Sequence, residues 1–222
     1  MSNAPNFNRI ARAYRALEYL TFGRLLEHCR FAFLPRIASA HRALILGDGD
    51  GRFLARLMQQ SPTLHATAVD ASPAMLRFLA NNCIRLSPDA LTRLTLIAAD
   101  IRTFNLPPAS PQQFDLIASH FFLDCLTTDE ISALASRLAP HLSGNALWLV
   151  SDFSLPDNPL LRIPARLLIH ALYLAFGFLT GLRVRHLPQH RDALAAAGWH
   201  CVSQKKFAGG LLFTELWSNS AT

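Results

Sequence analysis

From His41 onward the chain alternates short apolar runs with helix-patterned segments, and this alternation restricts the possible folds more than any other feature of the sequence. "RALILG" precedes a helix pattern from Arg52 to Gln60, and "HATAVD" precedes one from Pro73 to about Arg85. "LTLIAAD" and "FDLIASHFF" follow, then a helix pattern from Thr128 to about Pro140, then "ALWLVSDF". Short aliphatic runs bounded by turn residues read as buried strands, and strands separated by helices predict a parallel sheet covered on both faces. The tail departs from this rhythm. A helix in "PQHRDALAAAGW" leads to two strand-like runs, "HCVSQKKF" and "GLLFTELWS", joined through Ala208, Gly209 and Gly210. That is the pattern of a terminal hairpin.

The first strand runs into "ALILGDGDGRFLARL", where three glycines and two aspartates occupy five consecutive positions. Glycine tolerates positive φ and lets a ligand approach bare backbone, so the stretch is either a cofactor turn or a plain tight turn. In a parallel sheet this turn lies at the carboxyl edge, where ligands of doubly wound folds bind. Its spacing, Gly47, Gly49 and Gly51, is G-x-G-x-G; the dinucleotide fingerprint would need glycine at position 52, which is Arg52, and no Gly-Lys-Ser/Thr follows for a phosphate loop. Asp48 and Asp50 would repel a pyrophosphate and suit a ligand with a positive centre and hydroxyls. The second strand ends in Asp70, before a Ser72-Pro73 helix start, and the third ends in Asp100. A carboxylate at the first position can accept ribose hydroxyls, and one at the second can hold an adenine amino group.

Over roughly His41 to Ser218 these residues make the chain resemble a class I S-adenosylmethionine-dependent methyltransferase. The resemblance implies a Rossmann-like, doubly wound α/β sheet of seven strands with a C-terminal antiparallel hairpin, and S-adenosyl-L-methionine as cofactor. It implies that Gly47, Gly49 and Gly51 approach the methionine and ribose, with Asp48 or Asp50 supplying a charge that relatives often carry two positions before the first glycine, here Ile45. Asp70 with Ala71 would bind the ribose, Asp100 with Ile101 would flank the adenine, and Ser119 would touch the cofactor. A nucleotide-dependent oxidoreductase on a related fold, and a regulatory or scaffold protein that keeps the pocket without catalysis, are the competing readings.

Methyl transfer needs a nucleophile held in line with the methyl carbon. The fourth strand end, "FDLIASHFFLDCL", offers Ser119, His120, Phe121, Phe122 and Asp124 at that edge. His120, titrating near neutrality, is the candidate catalytic base as well as an acceptor contact; Phe121 and Phe122 are candidate pocket walls, and Asp124 either joins them or caps local backbone. No metal is expected, because His186 and His190 are interrupted by Pro188 and lack a third ligand.

The 222 residues, 51% hydrophobic, suffice for one such core with appended segments. Four dispersed cysteines without a CxxC pair indicate a reduced, cytoplasmic protein. The net charge of +6 is spread along the chain, which does not suggest nucleic-acid binding. Residues 1–40 read as helices, roughly Phe7 to Glu18 and Phe22 to Phe33, that form a lid over residues 41–222 or simply pack on them; Tyr14 and Tyr19 of this lid are candidate acceptor contacts, with Phe22 beside them. A helical insertion, residues 153–186, follows the fifth strand and contains "LLRIPARLLIHALYLAFGFLTGLRVR". Its apolar stretch falls short of the roughly 20 residues of a bilayer span, but with Arg162, Arg166, Arg183 and Arg185 it fits an interfacial helix or the roof of an apolar pocket, with Tyr173 as a further acceptor contact, or else a helix buried against the core or a dimer partner. The expected partner is a small, hydrophobic or lipid-like acceptor, with peripheral contact to a membrane.

Overall fold

A computed structural model describes residues 14–104, 106, 113–181, 184 and 186–220. Three helices, α1 (Tyr14–Phe22), α2 (Leu25–Phe31) and α3 (Leu34–Ile37), lead into β1 (Arg42–Leu46), α4 (Arg52–Gln60), β2 (His65–Asp70), α5 (Pro73–Leu86) and β3 (Leu94–Ala98). Then come β4 (Phe114–His120), α6 (Thr128–Leu138), β5 (Leu142–Phe153), α7 (Pro159–Thr180), α8 (His190–Ala196), β6 (His200–Phe207) and β7 (Leu212–Ser218).

The strands form one sheet in the order β3-β2-β1-β4-β5-β7-β6, parallel except that β7 runs antiparallel to both β5 and β6. This is the Rossmann-like seven-stranded sheet with a terminal antiparallel pair. Strand order reverses between β1 and β4, and a crevice opens there at the carboxyl edge.

Why β1 is apolar from Ala43 to Leu46 follows from its central place. Ala43 and Ile45 point to one face, where Phe53, Leu57 and Met58 of α4 and Leu76 and Leu79 of α5 cover them. Leu44 and Leu46 point to the other, against a cluster with Ile131 and Leu134 of α6, Leu194 of α8 and Trp148 of β5. All four are at most 1% exposed. Helix starts obey local chemistry. Ser72 accepts the Met75 amide ahead of α5, and Thr127 and Glu130 form a reciprocal capping box at α6. Asn158 caps α7 by accepting the Leu160 amide, and Gly181 ends that helix with φ 78°.

Two boundaries differ from the sequence reading. The first helices break at Gly23, φ 57°, rather than before Phe22, because this glycine takes the left-handed turn that lets α2 fold back. β5 also begins earlier than "ALWLVSDF", at Leu142. Residues 1–13, part of the expected first helix and lid, lie outside the described residues, as do Arg183 and Arg185.

Candidate functional site: two adjoining cavities at the carboxyl edge

The turn after β1 places Gly47, Gly49 and Gly51 at φ 62°, 58° and 76°, a backbone region that side chains rarely adopt. A Cβ on Gly47 would lie 2.2 Å from the Phe122 ring. Gly47 and Gly49 line a cleft of about 90 Å³ together with Val69, Asp70, Ala71, Met75 and, across from them, Ala99 to Arg102 and Phe121 and Phe122. Six residues expected to hold the cofactor therefore converge, Gly47, Gly49, Asp70, Ala71, Asp100 and Ile101, and with them Phe121 and Phe122, expected as pocket walls.

Asp70 accepts the Ser72 amide at 2.7 Å. Burial pushes its carboxyl up to about 6, and that amide only partly offsets the cost of the charge. Asp100 is held differently. Burial opposes its ionisation, but hydrogen bonds from Arg102 at 2.7 to 3.1 Å outweigh this and keep the carboxyl below its usual range.

Five expected cofactor or catalytic residues are not in the cleft. Gly51 starts α4 against α5, where an added Cβ would lie 2.5 Å from the Leu79 backbone. Asp48 is buried and accepts the Leu54 amide at 3.0 Å, so it fastens the turn to α4; burial pushes its carboxyl to about 7. Asp50 takes Arg52 Nε at 2.8 Å. Ser119 accepts the Trp148 indole N–H at 3.0 Å, beneath the sheet surface. His120 packs its ring 4.2 Å from that of Phe53 and shares a hydrogen bond with Ser151 at 2.9 Å. It lines neither cavity, and burial, with the Arg30 charge, pushes its pKa well below the usual value. The ring expected to act as a base is thus shielded from both cavities.

Beside the cleft lies a second, larger cavity of about 190 Å³, walled by Leu17, Thr21 and Phe22 of α1, Phe121, Phe153 and the α7 residues Ile169, Tyr173 and Phe176. Its lining is overwhelmingly apolar. Phe121 and Cys125 belong to both cavities and form their common wall. Phe121 holds φ at 52°, strained for a non-glycine residue, with the Arg30 guanidinium 5.0 Å over its ring. Tyr173 reaches this chamber, its hydroxyl donating to the Asp124 carbonyl at 3.2 Å. Tyr19 does not: it lies under the Arg52 guanidinium and hydrogen-bonds Glu27. The Tyr14 side chain falls outside the described atoms.

Sequence reasoning missed Glu18, Arg30 and Arg52. Glu18 of α1 receives Arg30 at 3.1 Å and Arg52 at 2.6 Å, and Arg52 also holds Asp50. This buried network fastens α1 and α2 to the glycine turn. Asp152 was also missed, although it stands one residue before the end of β5, where a search for acids near strand ends finds it.

Comparison with known proteins agrees with this geometry. A family model described as a methyltransferase domain matches residues 44–147. Polyamine aminopropyltransferase 2 of Bacillus cereus is 28% identical over 134 residues, covering 57% of this chain and 36% of that one. The S-adenosylmethionine-dependent methyltransferase SibL in its apo form superposes with TM-score 0.62 at 22% identity, over 95% of this chain and 57% of SibL. The 1,6-didemethyltoxoflavin-N1-methyltransferase of Burkholderia thailandensis, with 1,6-didemethyltoxoflavin and S-adenosylhomocysteine bound, superposes with TM-score 0.63 at 15% identity, over 96% of this chain and 85% of that one. The chain thus spans less than two thirds of the aminopropyltransferase and of SibL.

Residues 44–147 thus match a methyltransferase domain, and the sheet is the fold shared with the S-adenosylmethionine-dependent methyltransferases that superpose on it. The residues lining the cleft suit S-adenosyl-L-methionine as cofactor. Bare backbone at Gly47 and Gly49 leaves room for close approach, and Asp70 is an incompletely compensated carboxylate suited to hydroxyl donors. Val69, Met75 and Ile101 supply apolar surface for a flat ring.

Proposed function

We propose that the chain is a methyltransferase that uses S-adenosylmethionine to methylate a small, hydrophobic or lipid-like acceptor. The observation that carries this reading is the pair of adjoining cavities, one built on the glycine turn and the other apolar, with Phe121 and Cys125 between them. The cofactor supplies an electrophilic methyl group. The chain supplies position: Gly47, Gly49 and Asp70 hold one reactant, Asp100 and Ile101 flank its base, and Phe121 and Tyr173 orient the other. Helices α1 and α2 act as the lid, and α1 contributes Leu17, Thr21 and Phe22 to the chamber wall.

The outer face of α7 favours acceptors drawn from a membrane surface. By length and composition Pro159–Thr180 is apolar enough to cross a bilayer, and 22% of its most apolar window is buried. Its inner residues Ile169 and Tyr173 close the chamber, while Leu160, Ile163, Leu167, Leu174 and Phe178 are 60 to 91% exposed. Leu20 of α1 is 85% exposed. The helix carries no acid, and Arg162 and Arg166 stand exposed along it. An apolar face with cations beside it matches the boundary between headgroups and acyl chains.

The test is transfer of labelled methyl from S-adenosylmethionine to ring acceptors bearing alkyl tails of graded length, paired with flotation on anionic liposomes. Activity that rises with tail length, with liposome association, supports the reading. Transfer confined to small polar acceptors, without association, overturns its finer part.

A further inference from the structure

Two carboxyl groups, one in the wall of the apolar chamber and one bonded to that residue's backbone, have no part in the reading so far. Asp124 lines the chamber beside Phe121 and Cys125, on the single helical turn that follows β4. Asp152 lies at the end of the neighbouring β5, and its Oδ2 accepts the Asp124 backbone N–H at 3.0 Å. Asp124 is 9% exposed and Asp152 3%.

The groups facing them are few. Cys125 donates its thiol to Asp124 Oδ1 at 3.5 Å, and Tyr173 of α7 spends its hydroxyl on the Asp124 carbonyl. Glu18, elsewhere on the chamber wall, is neutralised by Arg30 and Arg52. Among the described residues neither Asp124 nor Asp152 forms an ion pair with a cation. Burial raises both carboxyls, and for Asp152 the Asp124 charge adds to the effect. Close acids in such a setting do not both ionise readily, and they titrate as a unit. An apolar core gains nothing from such a pair, since well-packed apolar residues serve stability as well or better.

We propose that Asp124, positioned by Asp152, is the proton acceptor for a weakly acidic hydroxyl on an apolar ring held in the chamber. This rests on the methyltransferase reading and deepens it by naming the nucleophile as a phenol-like oxygen. The step balances. The acceptor oxygen bonds to the methyl carbon, the sulfur–methyl bond breaks with its electron pair staying on sulfur, and the hydroxyl proton passes to the Asp124 carboxylate. A positive sulfonium and a negative carboxylate become a neutral thioether and a neutral acid. Asp152 does not touch the acceptor. It fixes the Asp124 backbone, and the two carboxyls take up a proton as a coupled pair.

The experiment uses para-nitrophenol as the probe, without cofactor, because its anion is coloured and its ionisation when bound is read directly. A nearby carboxylate disfavours the phenolate. In the wild-type protein the bound probe should ionise at least tenfold less readily than free probe near neutral pH. Asp124→Asn should let the bound probe ionise about tenfold more readily than in wild type, and Asp124→Glu should keep the wild-type behaviour. Asp152→Asn, which leaves Asp124 in place, should shift the pH response of the bound probe downward, as loss of the neighbouring charge requires; it also serves should Asp124→Asn fail to fold. Equal ionisation of the bound probe in wild type and Asp124→Asn overturns the proposal, as does failure of the wild-type chamber to bind the probe. In a second arm, methyl transfer to beta-naphthol should fall about 100-fold or more in Asp124→Asn through kcat, with KM little changed. Wild-type protein that shows the probe response but binds no S-adenosylhomocysteine would fail the methyltransferase reading and leave the probe result standing, so the two failures are distinguishable.

Discussion

Glu18 Oε2 and Arg52 Nη2 meet at 2.6 Å with their side chains only 5 and 6% exposed, joining the first helix to the first residue of the helix that follows the glycine turn. The same Arg52 holds Asp50 inside that turn, and the same Glu18 holds Arg30, which lies over Phe121. One buried network thus connects the turn of the cofactor cleft to the wall it shares with the chamber. Removing Glu18 leaves two guanidinium groups short of charge in a buried site. Glu18→Gln should therefore destabilise the protein by about 3–5 kcal/mol, measured as a lower denaturant midpoint at unchanged slope. A midpoint equal to wild type would show that the network is not integral to the fold.

Gly51 and Gly47 should respond differently to alanine. Gly51→Ala places a Cβ 2.5 Å from the Leu79 backbone and strains a residue at φ 76°, so α4 and α5 must separate, and a loss of about 1–3 kcal/mol of stability is expected. At Gly47, φ 62°, the obstacle is one edge of the Phe122 ring rather than backbone, and that ring lines the cleft. Gly47→Ala should therefore remain folded while weakening S-adenosylhomocysteine. Thermal unfolding alongside calorimetry on both variants checks the contrast; identical loss of stability in the two would contradict it.

The acid in the glycine turn makes stability depend on pH. Burial raises the Asp48 carboxyl from an unfolded value near 3.8 to about 7, so between these pH values the folded protein holds a proton that the unfolded chain releases. The stabilisation from that proton is full below pH 3.8 and is lost as pH rises through about 7. Asp48→Asn keeps the site neutral at every pH. Its stability relative to wild type should climb from about pH 4 to pH 7 and level off, by at most about 4 kcal/mol. A difference independent of pH would show that Asp48 does not hold the proton.

On the outer face of α7, Leu174 and Phe178 are 60 and 91% exposed and neither lines the chamber. The double replacement Leu174→Asp, Phe178→Asp should abolish flotation with anionic liposomes while leaving S-adenosylhomocysteine affinity unchanged. Retained flotation would place membrane contact elsewhere on the chain.

What could be read in advance was whatever local pattern dictates. The sheet, its terminal pair, the glycine turn and the strand-end residues Asp70 and Asp100 follow from periodicity and from where a parallel sheet exposes its loops. The direction of a side chain does not. Ser119 and His120 are adjacent at the end of β4 and point to opposite faces, one to Trp148 and the other to Phe53, so only the next residues, Phe121 and Phe122, turn into the cleft. Asp48 and Asp50 sit in the right turn yet spend their oxygens on Leu54 and Arg52. Nothing local links Glu18 to Arg52, 34 positions away. Contacts of that kind exist only once the helices have packed.

The account stands or falls on the cleft at the β1–β4 crossover being the seat of S-adenosylmethionine, and calorimetric titration of S-adenosylhomocysteine into wild type and Asp70→Ala tests this most directly. Asp70 lines the cleft with its carboxyl pushed up to about 6 by burial, and hydroxyl donors from the ligand would relieve that cost. Loss of hydrogen bonds to a charged acceptor is worth about 1.5–3 kcal/mol. Wild type should give a single-site isotherm, and folded Asp70→Ala should bind roughly 10- to 100-fold more weakly. Equal affinity in the two proteins, or no binding to wild type, would contradict the assignment.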